Sequence, residues 1–183
     1  MQTKEKNFEQ DIETFLLNEG GYLKGDQSTY DKKRAIDMPV LLQFIQNTQP
    51  KVWQRYVNLY GDKSSDQLYK VFQSDVAQYG LVHVLRNGVK DRGVAIKFCY
   101  FQPSSNLNQD LVERYHANIL QCTRQFAYST ANHNTIDMVF SVNGIPVIAL
   151  ELKNQLTGQS VDNAKHQFMY DRDPKELIFN FNT

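Results

Sequence analysis

Three ionisable side chains, Asp137, Glu151 and Lys153, carry the chemistry that can be read from this chain. Two carboxylates and a lysine held together can cut phosphodiesters. A divalent cation between the carboxylates would lower the pKa of water and offset charge building up on phosphorus, and the lysine would orient or stabilise the attacking hydroxide. Neighbouring carboxylates at neutral pH call for a proton or a cation between them, and all-oxygen donors favour a hard cation such as Mg²⁺. As a bare pattern, Asp followed at a distance by Glu-x-Lys is common, and its plain alternative is a strand with solvated charges.

The elements that would position these groups lie between Asn134 and Asn154, which reads as a β-hairpin. Met138, Phe140 and Val142 point to one side of the first strand, and Asp137, Val139 and Ser141 to the other. In the second strand Ile148, Leu150 and Leu152 share one face, and Val147, Ala149, Glu151 and Lys153 share the opposite one. Register decides whether the carboxylates meet. A two-residue Asn143-Gly144 turn pairs Val142 with Ile145 and puts the carboxylates on opposite faces. A three-residue loop, Asn143-Gly144-Ile145, pairs Val142 with Pro146 and Asp137 with Glu151, and it also matches Met138 with Leu150 and Phe140 with Ile148. The matching of apolar faces favours the three-residue loop, with Gly144 supplying the unusual backbone.

Ahead of this hairpin, apolar spacing predicts a helix over Phe8–Asn18 stopped by Gly20-Gly21, a turn-rich stretch over Tyr22–Tyr30, and a helix over Ala35–Thr48. Stripes through Trp53, Tyr56, Val57 and Tyr60, and through Leu68, Val71, Phe72, Val76 and Tyr79, predict two more helices ended by Gly61 and Gly80. Leu81–Leu85 and Val94–Phe101 then read as strands of a hairpin with a wide connection. A helix from Asn108 or Gln109 to about Cys122 precedes a strand over Arg124–Ser129, the Asp137 strand and the Glu151 strand. Ser160 can cap a helix over Val161–Tyr170, with Asp162 in its first turn, and Leu177–Phe181 reads as a last strand. The predicted fold class is α/β, a core of order αβββαβ with a mixed sheet flanked by helices.

A chain of 183 residues suits one domain with one well-buried core. Lys plus Arg and Asp plus Glu both number 20, so the formal net charge is zero. This excludes a free-standing binder that grips nucleic acid by overall charge, and any grip on DNA must be local or shared with other parts. The basic run Lys32-Lys33-Arg34 reads as a solvated helix start. Cys99 and Cys122 form no ligand pattern and read as small buried residues in a reducing compartment. With no apolar signal core and no stretch of about 20 apolar residues, the expected location is the cytoplasm, with no membrane contact. His83, His116, His133 and His166 have no ligand spacing.

The strings Gly80-Leu-Val-His-Val-Leu-Arg-Asn-Gly-Val-Lys90, Tyr100-Phe-Gln-Pro103, Arg124-Gln125, Ile136-Asp137, Val142-Asn-Gly-Ile-Pro146 and Glu151-Leu-Lys-Asn-Gln-Leu-Thr-Gly158, with Gln167 and Asp171-Arg-Asp-Pro174, run over nearly the whole chain. Together they resemble the N-terminal endonuclease region of the R subunit of type I restriction enzymes, within the PD-(D/E)xK nucleases. The resemblance implies that Asp137 and Glu151 are metal ligands for Mg²⁺ and that Lys153 is the catalytic lysine. It implies a supporting role for Gln167 and a nearby tyrosine; here Tyr170 follows three residues later rather than four, and a surface helix residue is the alternative for Gln167. Glu113 reads as solvated helix charge, with a place in the metal's shell as the alternative.

The implied activity is hydrolysis of unmodified double-stranded DNA, in a complex with specificity and methyltransferase subunits and with a helicase-like motor region of the same parent chain. ATP would enter only through that motor, because no Gly-x-x-x-x-Gly-Lys-Ser/Thr loop occurs here. On this basis residues 1–183 are a single endonuclease domain, with a helical elaboration over 1–80, a hairpin over 81–103 and the nuclease core over 108–183. An end on a predicted strand points to a fragment of a longer protein, nearly inactive alone. The rival is a non-catalytic docking or assembly module whose helical front half packs on a partner or motor.

Overall fold

The computed structural model describes residues 2–152, 161–166, 170, 173 and 176–180. The chain forms two compact units: Met1–Ile36, Leu120–Ser141 and Ile145–Asn182 make the first, and Asp37–Ile119 with Val142–Gly144 makes the second.

The first unit is built on a four-stranded sheet of order β1-β4-β5-β6. Its strands are β1 (Leu23–Lys24), β4 (Leu120–Ala127), β5 (Thr135–Val142) and β6 (Ile145–Leu150). β1 pairs parallel with β4, Leu23 opposite Gln121 and Lys24 opposite Cys122. The next residue must be glycine, because a Cβ on Gly25 would lie 1.8 Å from the Thr123 hydroxyl. Ile136, Met138 and Val139 of β5 are all fully buried, so this strand is covered on both faces. Tyr30 meets Phe126 edge-on at 4.6 Å, and Tyr128 meets Phe179 at 5.1 Å.

Helix α1 (Gln2–Asn18) belongs to the same unit. Phe8 and Phe15 are 56% and 58% exposed, whereas Glu9 and Glu13 are 2% and 8% exposed. The helix turns the Glu9 and Glu13 carboxylates inward and its two aromatic rings outward.

The second unit holds α2 (Met38–Thr48), α3 (Pro50–Tyr60), a 3₁₀ turn (Gly61–Lys63), α4 (Ser64–Tyr79), α5 (Leu81–Asn87), the hairpin β2 (Val89–Asp91) and β3 (Val94–Ile96), and α6 (Gln109–His116). Asp37 caps α2 by accepting from the Val40 N–H at 3.2 Å, and Asn108 caps α6 through the Leu111 N–H at 3.3 Å. Phe44, Tyr56, Phe72 and Phe98 are the largest fully buried side chains of this unit. The junction of α2 and α3 is pinned by the Gln49 amide, which donates to the Lys97 carbonyl and accepts from its N–H, both at 2.9 Å. Cys99 and Cys122 are buried free thiols, and burial pushes each up to about 11.

One carboxylate organises the contact of the small hairpin with α3 and α4. Asp91 Oδ2 accepts from the hydroxyls of Tyr60 at 2.8 Å and Tyr56 at 2.9 Å, and from the Gln67 amide at 3.4 Å. Burial alone would raise its pKa; the bonds from Tyr60, Tyr56 and Gln67 and the nearby Arg92 outweigh that and hold it below the ordinary value. A depressed carboxylate contributes stability that is complete above the unfolded pKa of about 3.9 and is lost as pH falls through that value toward the folded one. Wild-type stability should therefore fall more steeply than that of Asp91→Asn as pH drops below about 4, followed by urea unfolding. Parallel curves would remove Asp91 from this role.

Several expectations are corrected. Leu81–Asn87 is helical: Leu81, Val84 and Leu85 are buried while Val82 is exposed, which is helical and not alternating spacing. The hairpin is therefore the tighter Val89–Ile96 pair. Leu177–Asn180 is a helix, and the sheet position beside β4 is taken by β1. Asp31-Lys32-Lys33-Arg34 forms a turn closed by an Asp31–Ile36 bridge rather than a helix start. The turn between β5 and β6 has two residues, not three: Asn143 and Gly144 take φ of 52° and 80°, the left-handed pair that suits Asn-Gly and the strand twist. Matching of apolar faces misjudged the loop because β5 is buried on both sides.

Candidate active site

Asp137 sits on β5 in the first unit. Its Oδ2 accepts from the Leu152 N–H at 2.8 Å, so the backbone just past β6, at Glu151 and Leu152, is held against this carboxylate. With a two-residue turn, a regular ladder would set Asp137 opposite Leu150. The chain leaves the strand after Leu150, so Glu151 is not bound to that alternation. Lys153 and Gln167 lie outside the described residues. Tyr170 is 69% exposed and its ring lies 4.6 Å from that of His166. Glu113 is exposed on α6 in the second unit.

Behind Asp137 stands a polar network that sequence reasoning missed. The Gln125 amide donates to Glu9 Oε1 at 2.9 Å and, more weakly, toward Asp137 Oδ1 at 3.5 Å, and its own oxygen accepts from the Thr135 hydroxyl at 3.2 Å. Arg124 pairs with Glu9 at 3.3 Å and Glu13 at 3.4 Å. Successive strand residues normally point to opposite faces. Here Arg124 and Gln125 both reach Glu9, because Gln125 has φ of 48° and kinks β4. A non-glycine residue in that region costs roughly 1–3 kcal/mol, and the kink turns two neighbouring side chains to one carboxylate. No local signal marks Glu9 and Glu13, since the apolar spacing of Phe8, Ile12 and Phe15 points to the opposite face as the buried one.

The described groups are oxygen-rich and short of positive charge. Glu9 and Glu13 share the Arg124 guanidinium, and Asp137 takes the Leu152 N–H. Among the described residues no three His, Cys, Asp or Glu side chains converge as a ligand set. Mg²⁺ uses one or two protein carboxylates and keeps several waters. Among the described residues Asp137 Oδ1 meets the Gln125 amide alone, at 3.5 Å.

The model of the family described as type I restriction enzyme R protein N terminus matches residues 2–183, and the chain belongs to that family. The mixed α/β arrangement, with its four-stranded sheet and flanking helices, is consistent with a restriction-endonuclease-like fold. No curated protein and no solved structure matches the chain. Among the described residues no helix is long and apolar enough to cross a membrane.

Proposed function

We propose that this chain is the Mg²⁺-dependent endonuclease part of a type I restriction system, hydrolysing phosphodiesters of unmodified double-stranded DNA together with a motor region and with specificity and methyltransferase subunits. The observation that carries the reading is the 2.8 Å bond from the Leu152 N–H to Asp137 Oδ2, which brings the Asp137 strand and the start of Glu151-x-Lys153 together within a family of restriction enzymes.

Asp137 and Glu151 would hold the ion, which when bound supplies Lewis acidity toward water and phosphate. The rest falls to the chain's own groups. The Leu152 N–H fixes one oxygen of Asp137 and leaves the other to the weak Gln125 contact. Gln125, oriented by Thr135 and Glu9, limits the rotation of that carboxylate. Arg124 offsets the repulsion between Glu9 and Glu13. Lys153 would orient the attacking hydroxide and offset charge at phosphorus.

Calorimetric titration with Mg²⁺ or Mn²⁺ tests the metal site. We expect binding to the wild type that disappears in both Asp137→Ala and Glu151→Ala. Binding that survives both substitutions, or a wild type that binds neither ion even with a DNA duplex present, would overturn the assignment.

A further inference from the structure

The segment from Arg86 to Lys97 carries four cations, Arg86, Lys90, Arg92 and Lys97, and one carboxylate, Asp91. The hairpin register sorts them by face. Val89 pairs with Ile96, Lys90 with Ala95, and Asp91 with Val94. Val89, Val94 and Ile96 are buried, while Lys90, Arg92 and Ala95 are exposed. Asp91 is turned inward and engaged by Tyr56, Tyr60 and Gln67. The half-buried acid of this segment is engaged by hydroxyls and an amide, and Arg86, Lys90 and Arg92 are left exposed.

Of these cations Arg92 lies near enough to Asp91 to help hold that carboxylate ionised. None of the four forms an ion pair among the described residues. Lys97 donates to the Arg86 carbonyl at 2.9 Å, which puts its charge at the C-terminal end of α5. The Arg86 guanidinium lies 6.0 Å from the Phe101 ring centre, and that of Arg92 lies 5.3 Å from that of Tyr60. An aromatic face orients a guanidinium while leaving its charge and its N–H groups free for an anion. Arg92 also occupies the turn with φ of 44°, ahead of Gly93 at 79°. Asn, Asp or Gly is the usual choice at such a position. An arginine held at the tip against its backbone preference points to a use for its charge.

From this geometry we propose that the outer face of the β2–β3 hairpin, with Arg86 beside it in sequence at the end of α5, is a contact surface for the phosphate backbone of double-stranded DNA. The proposal rests on the reading that the protein acts on DNA. It supplies the local grip that a formally neutral chain needs. A protein partner fits less well, because interfaces between proteins carry an apolar core and Ala95 is the only apolar side chain on the exposed face of this ribbon.

Fluorescence anisotropy with a labelled DNA duplex, in EDTA so that metal and cleavage play no part, tests it. Each of Arg86→Ala, Lys90→Ala and Arg92→Asn should weaken binding by about 3–10-fold at about 0.1 M salt and flatten the log–log salt dependence by about one. The triple variant should flatten it by about three, while Lys33→Ala, an exposed lysine elsewhere, should leave it unchanged. Arg92→Asn gains from the tolerance of Asn for left-handed backbone and loses the Tyr60 stacking and the charge beside Asp91, so its thermal unfolding is measured in parallel to separate lost affinity from misfolding. Affinity and slope unchanged in the triple variant, or lowered equally by Lys33→Ala, would overturn the proposal. So would intact DNA binding accompanied by lost binding to an acidic protein. Because the titration with metal is separate, failure here leaves the site at Asp137 standing, and failure there leaves this surface standing.

Discussion

Asp137→Asn should abolish DNA cleavage by the assembled, ATP-driven complex while leaving the chain folded. The substitution keeps an oxygen for the Leu152 N–H and nearly the same volume; it removes the charge and replaces the oxygen that Gln125 approaches at 3.5 Å by an NH₂ donor. A bound divalent ion supplies several kcal/mol of transition-state charge stabilisation. At about 1.4 kcal/mol per decade, losing the ion's ligand should slow cleavage by roughly 10³-fold or more. Lys153→Ala should cost about 10²–10⁴-fold if it acts as a positioned electrostatic or proton-transfer group. Gln125→Ala touches the ligand only through a 3.5 Å contact, so the smaller loss of about 10–100-fold typical of groups that orient a metal ligand is expected. The gradation is itself informative. Single-turnover cleavage rates in the complex, with ATP hydrolysis followed in parallel, check it: the motor should run unimpaired in all three variants. Cleavage by Asp137→Asn at the wild-type rate would remove Asp137 from the chemistry.

The hairpin that carries Asp137 was legible because it states its own strands: Asn-Gly between two alternating runs names the turn, and the residues on either side follow. The length of that turn was not legible. Face matching assumes one apolar face, and β5 has Met138 and Val139 fully buried on opposite sides, so the turn residues themselves were the better guide. Leu81–Leu85 failed for a related reason, since a short run with apolar residues on both sides of His83 fits both periods and only burial separates them. The C-terminal Leu177-Ile-Phe179 stretch has strand-like composition. A two-residue strand, Leu23–Lys24, too short to show any period, holds the position beside β4 instead. Glu9 and Glu13 were hidden most completely. Their burial depends on an arginine and a glutamine more than a hundred residues away and on a backbone kink at Gln125, and nothing local in α1 reports either.

Asn143→Ala should be among the most destabilising substitutions in the second unit, at about 3–5 kcal/mol by the sum of its separate effects. The side chain is fully buried. Its Oδ1 accepts from the Ile119 N–H at 2.7 Å, and its Nδ2 donates to the Phe98 carbonyl at 2.8 Å and to Asn118 Oδ1 at 3.0 Å. Alanine would leave the Ile119 N–H and the Phe98 carbonyl without this partner, at about 1–3 kcal/mol for each group left unpaired, while Asn118 Oδ1 keeps its bond from the Tyr100 N–H. It would also have to hold φ of 52°, a conformation that asparagine tolerates and alanine resists. The companion Asn143→Asp separates these effects. It keeps the acceptor for Ile119 and the tolerance of left-handed backbone, but it sets a carboxylate against the Phe98 carbonyl and the Asn118 oxygen. It should therefore destabilise strongly at neutral pH and recover part of the loss as the acid protonates, since a protonated carboxyl can donate to one of those oxygens. Urea midpoints of the three proteins across the acidic range measure both effects. A loss below about 1 kcal/mol in the alanine variant would mean that water replaces the amide at all three partners.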